Sequence, residues 1–204
     1  MKLKIALMLI TILGSAATGA AQKQEVGLLL GGISTGDRKT SSPPGGSARI
    51  STGLTFYANY AVRLAEFKPV SIYFEVPFAA TPSTAITSAI AAAPRNYASI
   101  FITPGLKFKF LPGSRLSPYA AVGGGYGRFA ESDFRVDDQP NTGRRGTSSG
   151  VFDYGGGIDV RIVRWLSLRG EVRDFFSDIP NFNVSVAGDR QHNVLSSGGI
   201  VLRF

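Results

Sequence analysis

Apolar and polar side chains alternate along most of this chain, and a two-residue period is the pattern of a β-strand. The pattern recurs in eight segments of about 10 to 15 residues. A tilted strand needs about 9 to 11 residues to cross a membrane, so every segment is long enough to do so. The eight predicted strands are residues 24–33, 48–62, 70–79, 97–110, 118–129, 149–162, 166–175 and 190–204.

The two faces of these strands differ in polarity. In residues 70–79, Phe74 and Phe78 lie on an apolar face, while Glu75 lies on the other face. A membrane protein without apolar helices must be a closed barrel, because only closure satisfies every backbone N–H and C=O in lipid. A soluble sandwich or lipocalin-like barrel shows the same period with its apolar face inward. Charge alone does not separate these two alternatives.

The ends of the chain and its connections favour the membrane alternative. Residues 1–21 combine a short basic start, an apolar run too short to span a bilayer and a stretch of small residues. This predicts a cleaved secretory signal peptide at 1–21, followed by a barrel domain at 22–204. The last segment alternates up to a terminal aromatic residue, Phe204. The connections alternate between long and short, and an even number of strands places both ends of the domain on one side.

This combination, with the ending Gly-Ile-Val-Leu-Arg-Phe at 199–204, resembles the small OmpA-like or OmpX-like outer-membrane β-barrel family. The resemblance implies an all-β fold, an eight-stranded antiparallel up-and-down transmembrane β-barrel with short periplasmic turns and longer extracellular loops. It also implies a monomer in the outer membrane of a Gram-negative bacterium, in contact with outer-membrane lipid and lipopolysaccharide. Phe204 would be the signal that the barrel-assembly machinery recognises. That family has no shared catalytic site, so a structural or surface-interaction role in adhesion or envelope integrity is expected.

Charged side chains on the polar faces are predicted to meet inside the barrel. An eight-stranded interior is just wide enough for side chains to fill it, and buried charges are costly unless they are paired. The signs of the candidates nearly balance, which favours a lumen plugged by salt bridges; a small porin-like channel for ions or small solutes is the alternative. The predicted network is Glu75, Lys107, Lys109, Asp153, Asp159, Arg161, Arg169, Glu171, Arg173 and Arg203.

Composition and the remaining candidates narrow the function classes. The chain contains no cysteine, and its formal net charge of +8 is scattered rather than gathered in one block, so nucleic acid is not an expected partner. No metal or cofactor site is predicted, since Asp133, Asp137 and Asp138 lie in a loop with arginines. Lipid A-modifying barrels, a distant alternative, use a Ser/His/acid arrangement. Here His192 and Ser196 share a face, but two strand steps separate them by roughly 13 Å.

Three local features give further expectations. Pro104 lies mid-strand and cannot donate to the ladder, which predicts a bulge or a break. The outer loops are the predicted functional surface: residues 79–94 carry no charge and allow a short helix with Ile86 and Ile90 on one face, and Arg144-Arg145 would contact sugar phosphates. Aromatic residues near strand ends predict two interfacial girdles, with Tyr60, Phe108, Phe110, Trp165 and Phe204 on the periplasmic side and Phe78, Tyr97, Phe129, Phe152 and Phe175 on the outer side.

Overall fold

The computed structural model describes residues 23–42, 46–143, 146–183, 185–186 and 188–204. This part of the chain forms twelve strands: β1 (Gln24–Thr35), β2 (Arg38–Ser42), β3 (Ser47–Ile50), β4 (Gly53–Phe67), β5 (Val70–Ser88), β6 (Asn96–Ile102), β7 (Gly105–Phe110), β8 (Leu116–Glu131), β9 (Thr147–Val163), β10 (Leu166–Asp178), β11 (Ser185–Val186) and β12 (Arg190–Arg203). Within these ranges, no helix is long and apolar enough to cross a membrane. The predicted signal peptide at 1–21 and the pair Arg144-Arg145 lie outside the described residues.

Antiparallel pairing closes the sheet into a ring. β1 pairs with both β4 and β12, and the ring continues from β12 through β10 and β9 to β8, and from β4 to β5. β6 and β7 lie end to end between β5 and β8 and together make one wall strand. The ring therefore has eight wall strands in up-and-down order, and the predicted eight-stranded antiparallel barrel is confirmed.

The wall strand made of β6 and β7 is interrupted at Thr103 and Pro104, so the predicted break is confirmed. Proline has no N–H to donate to the ladder, but its carbonyl still accepts a hydrogen bond from the Gly124 N–H at 3.1 Å. Gly125 lies against the same break, and a Cβ atom there would collide with the Ile102 carbonyl oxygen. Only glycine allows the two backbones to approach this closely.

The connections are short at one end of the barrel and long at the other. The turns 68–69, 111–115 and 164–165 join β4 to β5, β7 to β8 and β9 to β10. At the opposite end, β2, β3 and β11 extend the sheet beyond the ring from the outer part of β5. This is the predicted asymmetry of short periplasmic turns and longer outer connections.

The prediction of a loop with a short helix at 79–94 is wrong for residues 79–88, and only 89–95 connect β5 to β6. β5 continues to Ser88, because β3 and β6 both pair with its outer half. A register shift between Thr81 and Thr84 exchanges the two faces of the strand at that point. Ile86 therefore points inward and is buried instead of lying on an exposed helix.

The polarity of the wall is the reverse of that of a soluble barrel. On the exterior, Leu28 and Val172 are each 53% exposed, whereas Lys107 in the interior is completely buried and Arg173 is 1% exposed. Water on the outside would leave the apolar side chains unburied and the charges desolvated, which is unfavourable on both faces. An apolar exterior around a charged interior is stable with lipid on the outside, so the soluble alternative is excluded.

Candidate functional site

The lumen contains a continuous network of buried ion pairs. Its five carboxylates and five cations cancel in formal charge, and every side chain is at most 9% exposed. Nine of the ten residues in the predicted network are brought together here, and one carboxylate is added. The members are Glu25, Glu75, Asp153, Asp159 and Glu171 with Lys107, Lys109, Arg169, Arg173 and Arg203.

The half of the network nearer the periplasmic turns is built around two carboxylates, Glu25 and Asp159. Glu25 Oε2 lies 3.0 Å from Lys107 Nζ, and its other oxygen contacts Lys109. Asp159 Oδ1 accepts from Arg169 Nε at 2.7 Å, and Asp159 Oδ2 lies 2.7 Å from Lys109 Nζ. Each carboxylate therefore binds more than one cation, which is the arrangement that buried charges require.

The other half is built around one cation, Arg173, which binds three carboxylates. Its Nε donates to Glu171 Oε1 at 2.7 Å, its Nη1 donates to Asp153 Oδ2 at 2.8 Å, and its Nη2 donates to Glu75. Lys107 connects the two halves, because its Nζ lies 3.4 Å from Glu75 Oε2 as well as contacting Glu25. The ion pairs thus cross the lumen without a gap between the halves.

Three tyrosines fill the space around the charges. Tyr57 and Tyr119 each donate a hydrogen bond to Glu171, at 3.0 Å and 2.7 Å. The guanidinium of Arg169 lies 4.7 Å from the centre of the Tyr119 ring, and Lys107 Nζ lies 5.1 Å from the Tyr73 ring. Aromatic faces stabilise desolvated cations, so the rings both pack the lumen and hold the charges in place.

Arg161 is the predicted network residue that the structure places elsewhere. β9 carries it past Asp159 to the periplasmic mouth, where it is half-exposed and donates from Nη2 to the Gly113 carbonyl at 2.5 Å. Glu25 is the network residue that the sequence prediction missed. The alternation along β1 indicates its position, because Glu25 alternates with the lipid-facing Val26 and Leu28 and must point inward.

An apolar cluster closes the outer half of the lumen. Phe101 and Phe175 are stacked with their ring centres 4.9 Å apart, and Phe129 meets Phe101 edge-on at 5.6 Å. Tyr97 lies 5.9 Å from Phe129 and 6.2 Å from Phe182, which reaches in from the connection after β10. All five rings are buried, so this aromatic cluster covers the ion-pair network from the outer side.

The predicted outer girdle is therefore corrected. Phe78 and Phe152 are exposed on the barrel exterior, as a lipid-facing girdle requires. The prediction is wrong for Tyr97, Phe129 and Phe175, which occupy inward positions in the alternation and are buried. Of the predicted periplasmic girdle, the exposed members on the exterior are Tyr60, Phe110 and Trp165, and Phe108 and Phe204 are half-exposed.

His192 lies on the barrel exterior near the outer end of β12. Its Nδ1 is 2.5 Å from Asp174 Oδ2, and the same carboxylate accepts from the Tyr154 hydroxyl at 2.9 Å. Asp174 Oδ1 accepts from the Asn193 backbone N–H at 3.2 Å. These contacts satisfy the Asp174 carboxylate on the outer wall.

The outer end also carries a polar pocket of about 320 Å³. Asn183 links its walls, donating from Nδ2 to Asn141 Oδ1 at 2.8 Å and to the Ala92 carbonyl at 3.2 Å. The side chain of Arg135 lines the pocket and donates to Asp137 at 3.1 Å and 2.6 Å. The Arg135 hydrogen bonds lower the pKa of the Asp137 carboxyl. The connections of the outer end are thus tied together by side-chain hydrogen bonds.

The seam between the first and last wall strands ends at Phe204. The Phe204 N–H donates to the Gln24 carbonyl at 3.1 Å, and the Gln24 N–H donates back to the Phe204 carbonyl at 3.0 Å. The terminal residue therefore completes the β1–β12 ladder that closes the barrel. Its role as an assembly signal stays a prediction.

No protein-family model matches the sequence, and no curated protein matches it. Among solved structures, the chain is similar to the neisserial surface protein A (NspA), with 13% identity and a TM-score of 0.54 over 91% of this chain and 100% of that one. It is also similar to the outer membrane protein OprG from Pseudomonas aeruginosa, with 11% identity and a TM-score of 0.56 over 91% of this chain and 98% of that one. The chain has the fold of the small outer-membrane β-barrel proteins. This fold and its apolar exterior confirm the prediction of an outer-membrane barrel.

Proposed function

We propose that this protein is an integral outer-membrane barrel with a structural or surface-interaction role, and that it is neither an open channel nor an enzyme. The observation that carries the proposal is the closed lumen, in which the ion-pair network and the aromatic cluster lie one above the other. Within the outer-membrane barrels, the eight wall strands in up-and-down order favour the OmpA-like or OmpX-like type. The proposed surroundings are outer-membrane lipid and lipopolysaccharide, around a monomer inserted by the barrel-assembly machinery.

The two layers argue against a porin-like path. An ion entering from the periplasm would have to separate pairs such as Asp159–Arg169, and leaving one partner of a buried pair alone costs about 3 to 5 kcal/mol. It would then meet the aromatic cluster, where the stacked Phe101 and Phe175 offer no polar partner for a hydrated ion. Transfer of an unpaired ion into such an apolar layer is strongly unfavourable.

The surroundings of His192 argue against catalysis. A hydrolytic barrel needs a nucleophile within hydrogen-bond reach of its base. The oxygen of Asp174 that contacts His192 also accepts from Tyr154, so the tyrosine hydroxyl points to the acid and not to the imidazole. Among the described residues, no serine or threonine hydroxyl hydrogen-bonds to His192, and the chain has no cysteine thiol.

The outer end is the proposed working surface. It combines the extension formed by β2, β3 and β11 with the pocket around Asn141 and Asn183. Loops on a rigid barrel are free to vary in sequence without disturbing the wall, which suits recognition of extracellular ligands. Amide side chains and Arg135 at this end offer hydrogen bonds to a polar ligand such as a carbohydrate.

Single-channel recording tests the closed lumen. The refolded wild-type protein in a planar bilayer should give no steady openings while showing the heat-modifiable gel mobility of a folded barrel. Arg169→Ala in the network and Arg161→Ala at the mouth form a matched pair. Steady conductance in the wild type, altered by Arg169→Ala but not by Arg161→Ala, would overturn the proposal and place an ion path through the network.

Mass spectrometry of lipid A tests the absence of catalysis. Lipopolysaccharide incubated with the refolded wild-type barrel should keep all of its acyl chains. Loss of an acyl chain that also requires His192 would contradict the proposal. The exterior Asp174–His192 pair would then be the candidate catalytic site.

A further inference from the structure

Three arginines gather at the periplasmic edge of the barrel, apart from the lumen network. Arg115 lies in the turn before β8, Arg161 near the end of β9 and Arg164 in the turn after β9. The Arg161 N–H donates to the Arg115 carbonyl at 2.7 Å, which makes these two residues neighbours across the β8–β9 ladder. Arg164 follows three residues later and lines the same pocket.

These three arginines carry uncompensated positive charge. In the described part of the chain, none of the three has a carboxylate within ion-pair distance. The nearby acids are already occupied: Glu25 contacts Lys107, Lys109 and Arg203, and Glu66 lies 2.5 Å from Arg63. The edge therefore attracts an anion that the protein itself does not supply.

Two pockets at this edge have Arg161 and Arg164 in both of their linings. The first, of about 410 Å³, is lined by Arg115, Arg161 and Arg164 together with Ile162 and Val163. The second, of about 230 Å³, lies at the lumen mouth, where Arg161 and Arg164 line it together with the paired carboxylates Glu25 and Glu66. All three arginines thus line open space, and the guanidinium fork of N–H donors matches the geometry of a phosphate.

The flank of this edge faces lipid. Ile162, Val163 and Trp165 are exposed on the barrel exterior directly beside Arg161 and Arg164. Tryptophan is enriched at the boundary between membrane and water, so the arginines lie at the depth of lipid headgroups. Cations at this depth are attracted to anionic lipids.

We propose that Arg115, Arg161 and Arg164 form a binding site for an anionic phospholipid of the periplasmic leaflet. The headgroup phosphate occupies the pocket between the guanidinium groups, and the acyl chains lie along Ile162 and Val163. This site is separate from the outer surface of the proposed function and does not depend on it.

Trp165 is the single tryptophan of the chain and lies beside Arg164, so it reports on lipid at this site. The experiment places the folded protein in bilayers that contain phosphatidylglycerol or phosphatidylcholine with brominated acyl chains, and measures quenching of Trp165. The ratio of quenching by the two lipids gives the preference for the anionic headgroup. Using a ratio cancels any direct effect of a substitution on the fluorescence of Trp165.

The test variant is Arg115→Gln with Arg164→Gln. Because neither side chain makes an ion pair in the described part of the chain, its loss should not impair folding. The matched control is Arg49→Gln with Arg128→Gln, which removes the same charge from exposed positions at the outer end. Heat-modifiable gel mobility verifies that both variants fold; if the double variant does not, Arg115→Gln alone is used.

The wild type and the control should prefer phosphatidylglycerol, and each lost arginine should lower the preference about fivefold. Inorganic phosphate at the same concentration as the phosphatidylglycerol should not displace the lipid. An absent preference in the wild type, or an equal loss in the control, would overturn the site. Displacement by inorganic phosphate would also overturn it, because the arginines would then bind a soluble anion instead of lipid.

Discussion

Replacing Arg173 with methionine measures how much the lumen network stabilises the barrel. Arg173 contacts Glu171, Asp153 and Glu75 at once, and it is 1% exposed. The methionine keeps an unbranched chain in the lumen and removes the charge. Among the described ion pairs, Asp153 has no partner other than Arg173, so the substitution leaves a buried carboxylate alone.

The expected magnitude follows from what each carboxylate retains. Glu171 keeps the hydrogen bonds from Tyr57 and Tyr119, and Glu75 keeps Lys107. Asp153 loses its cation and accounts for most of the effect. Removing one partner of a buried pair costs about 3 to 5 kcal/mol, and we expect this decrease in the free energy of unfolding. Adding Asp153→Asn removes the uncompensated charge and should restore about 1 to 3 kcal/mol.

The assay is equilibrium unfolding in urea of the barrel refolded into lipid vesicles, for the single variant, the double variant and a control. Arg49→Met is the control, because Arg49 is an exposed arginine 3.7 Å from Asp37. An exposed pair is worth about 0 to 1 kcal/mol. If Arg173→Met costs no more than this control, or if Asp153→Asn restores nothing, the network does not stabilise the barrel as argued.

Two further substitutions and one deletion test other parts of the structure. Phe101→Ala removes a ring stacked on Phe175 and should lower the free energy of unfolding by about 3 to 5 kcal/mol; a loss below about 1 kcal/mol in the same urea assay would mean that the cluster is loosely packed. Gly125→Ala should cost about 1 to 3 kcal/mol by overpacking the break, whereas Gly170→Ala, with open space around its Cβ position, should cost less; equal unfolding midpoints would contradict the close approach. Deleting Phe204 should lower the amount of barrel in the outer membrane of expressing cells while leaving refolding in detergent intact; unchanged levels on an immunoblot of outer membranes would remove the assembly role.

Alternation was sufficient to predict most of the barrel, because a closed wall allows each strand only two faces. The lipid faces of β1 and β10, the short turns and the break at Pro104 all follow from local sequence. Nine members of the ion-pair network follow from the same rule, since a charge opposite an apolar face has to point into the lumen.

The wrong predictions have a different origin. The position of a residue along the barrel axis is harder to predict from the sequence than the face on which it lies. Position near a strand end predicts a lipid girdle for Tyr97, Phe129 and Phe175, but their places in the alternation put all three on the inward face, where they are buried. The alternation by itself predicts their inward position correctly. Ile86 is harder, since the register shift in β5 that reverses its parity depends on how β6 pairs with that strand. Pairing of this kind is a tertiary property and is not written in the local pattern.

The lumen is closed by two layers of opposite polarity, the ion-pair network and the aromatic cluster. The surroundings of the wall explain this difference. On β5, Phe74 faces out and Glu75 faces in, but near the outer end the exposed residue is Thr87 and the buried one is Ile86. Where lipid surrounds the wall, the outer face has to be apolar. A second apolar face inside would leave strands hydrophobic on both sides and prone to aggregate before insertion.

Beyond the lipid, water surrounds the outer extension, and burial of apolar side chains there is favourable at about 25 cal/mol per Å². The interior can then close as an ordinary hydrophobic core, which is the aromatic cluster with Phe101 at its centre. Because the ion-pair network and the aromatic cluster lie one above the other in the lumen, each of them is sufficient to block water and ions. Neither Arg173→Met nor Phe101→Ala alone should therefore produce conductance in a planar bilayer, and steady openings in either variant would refute this reasoning.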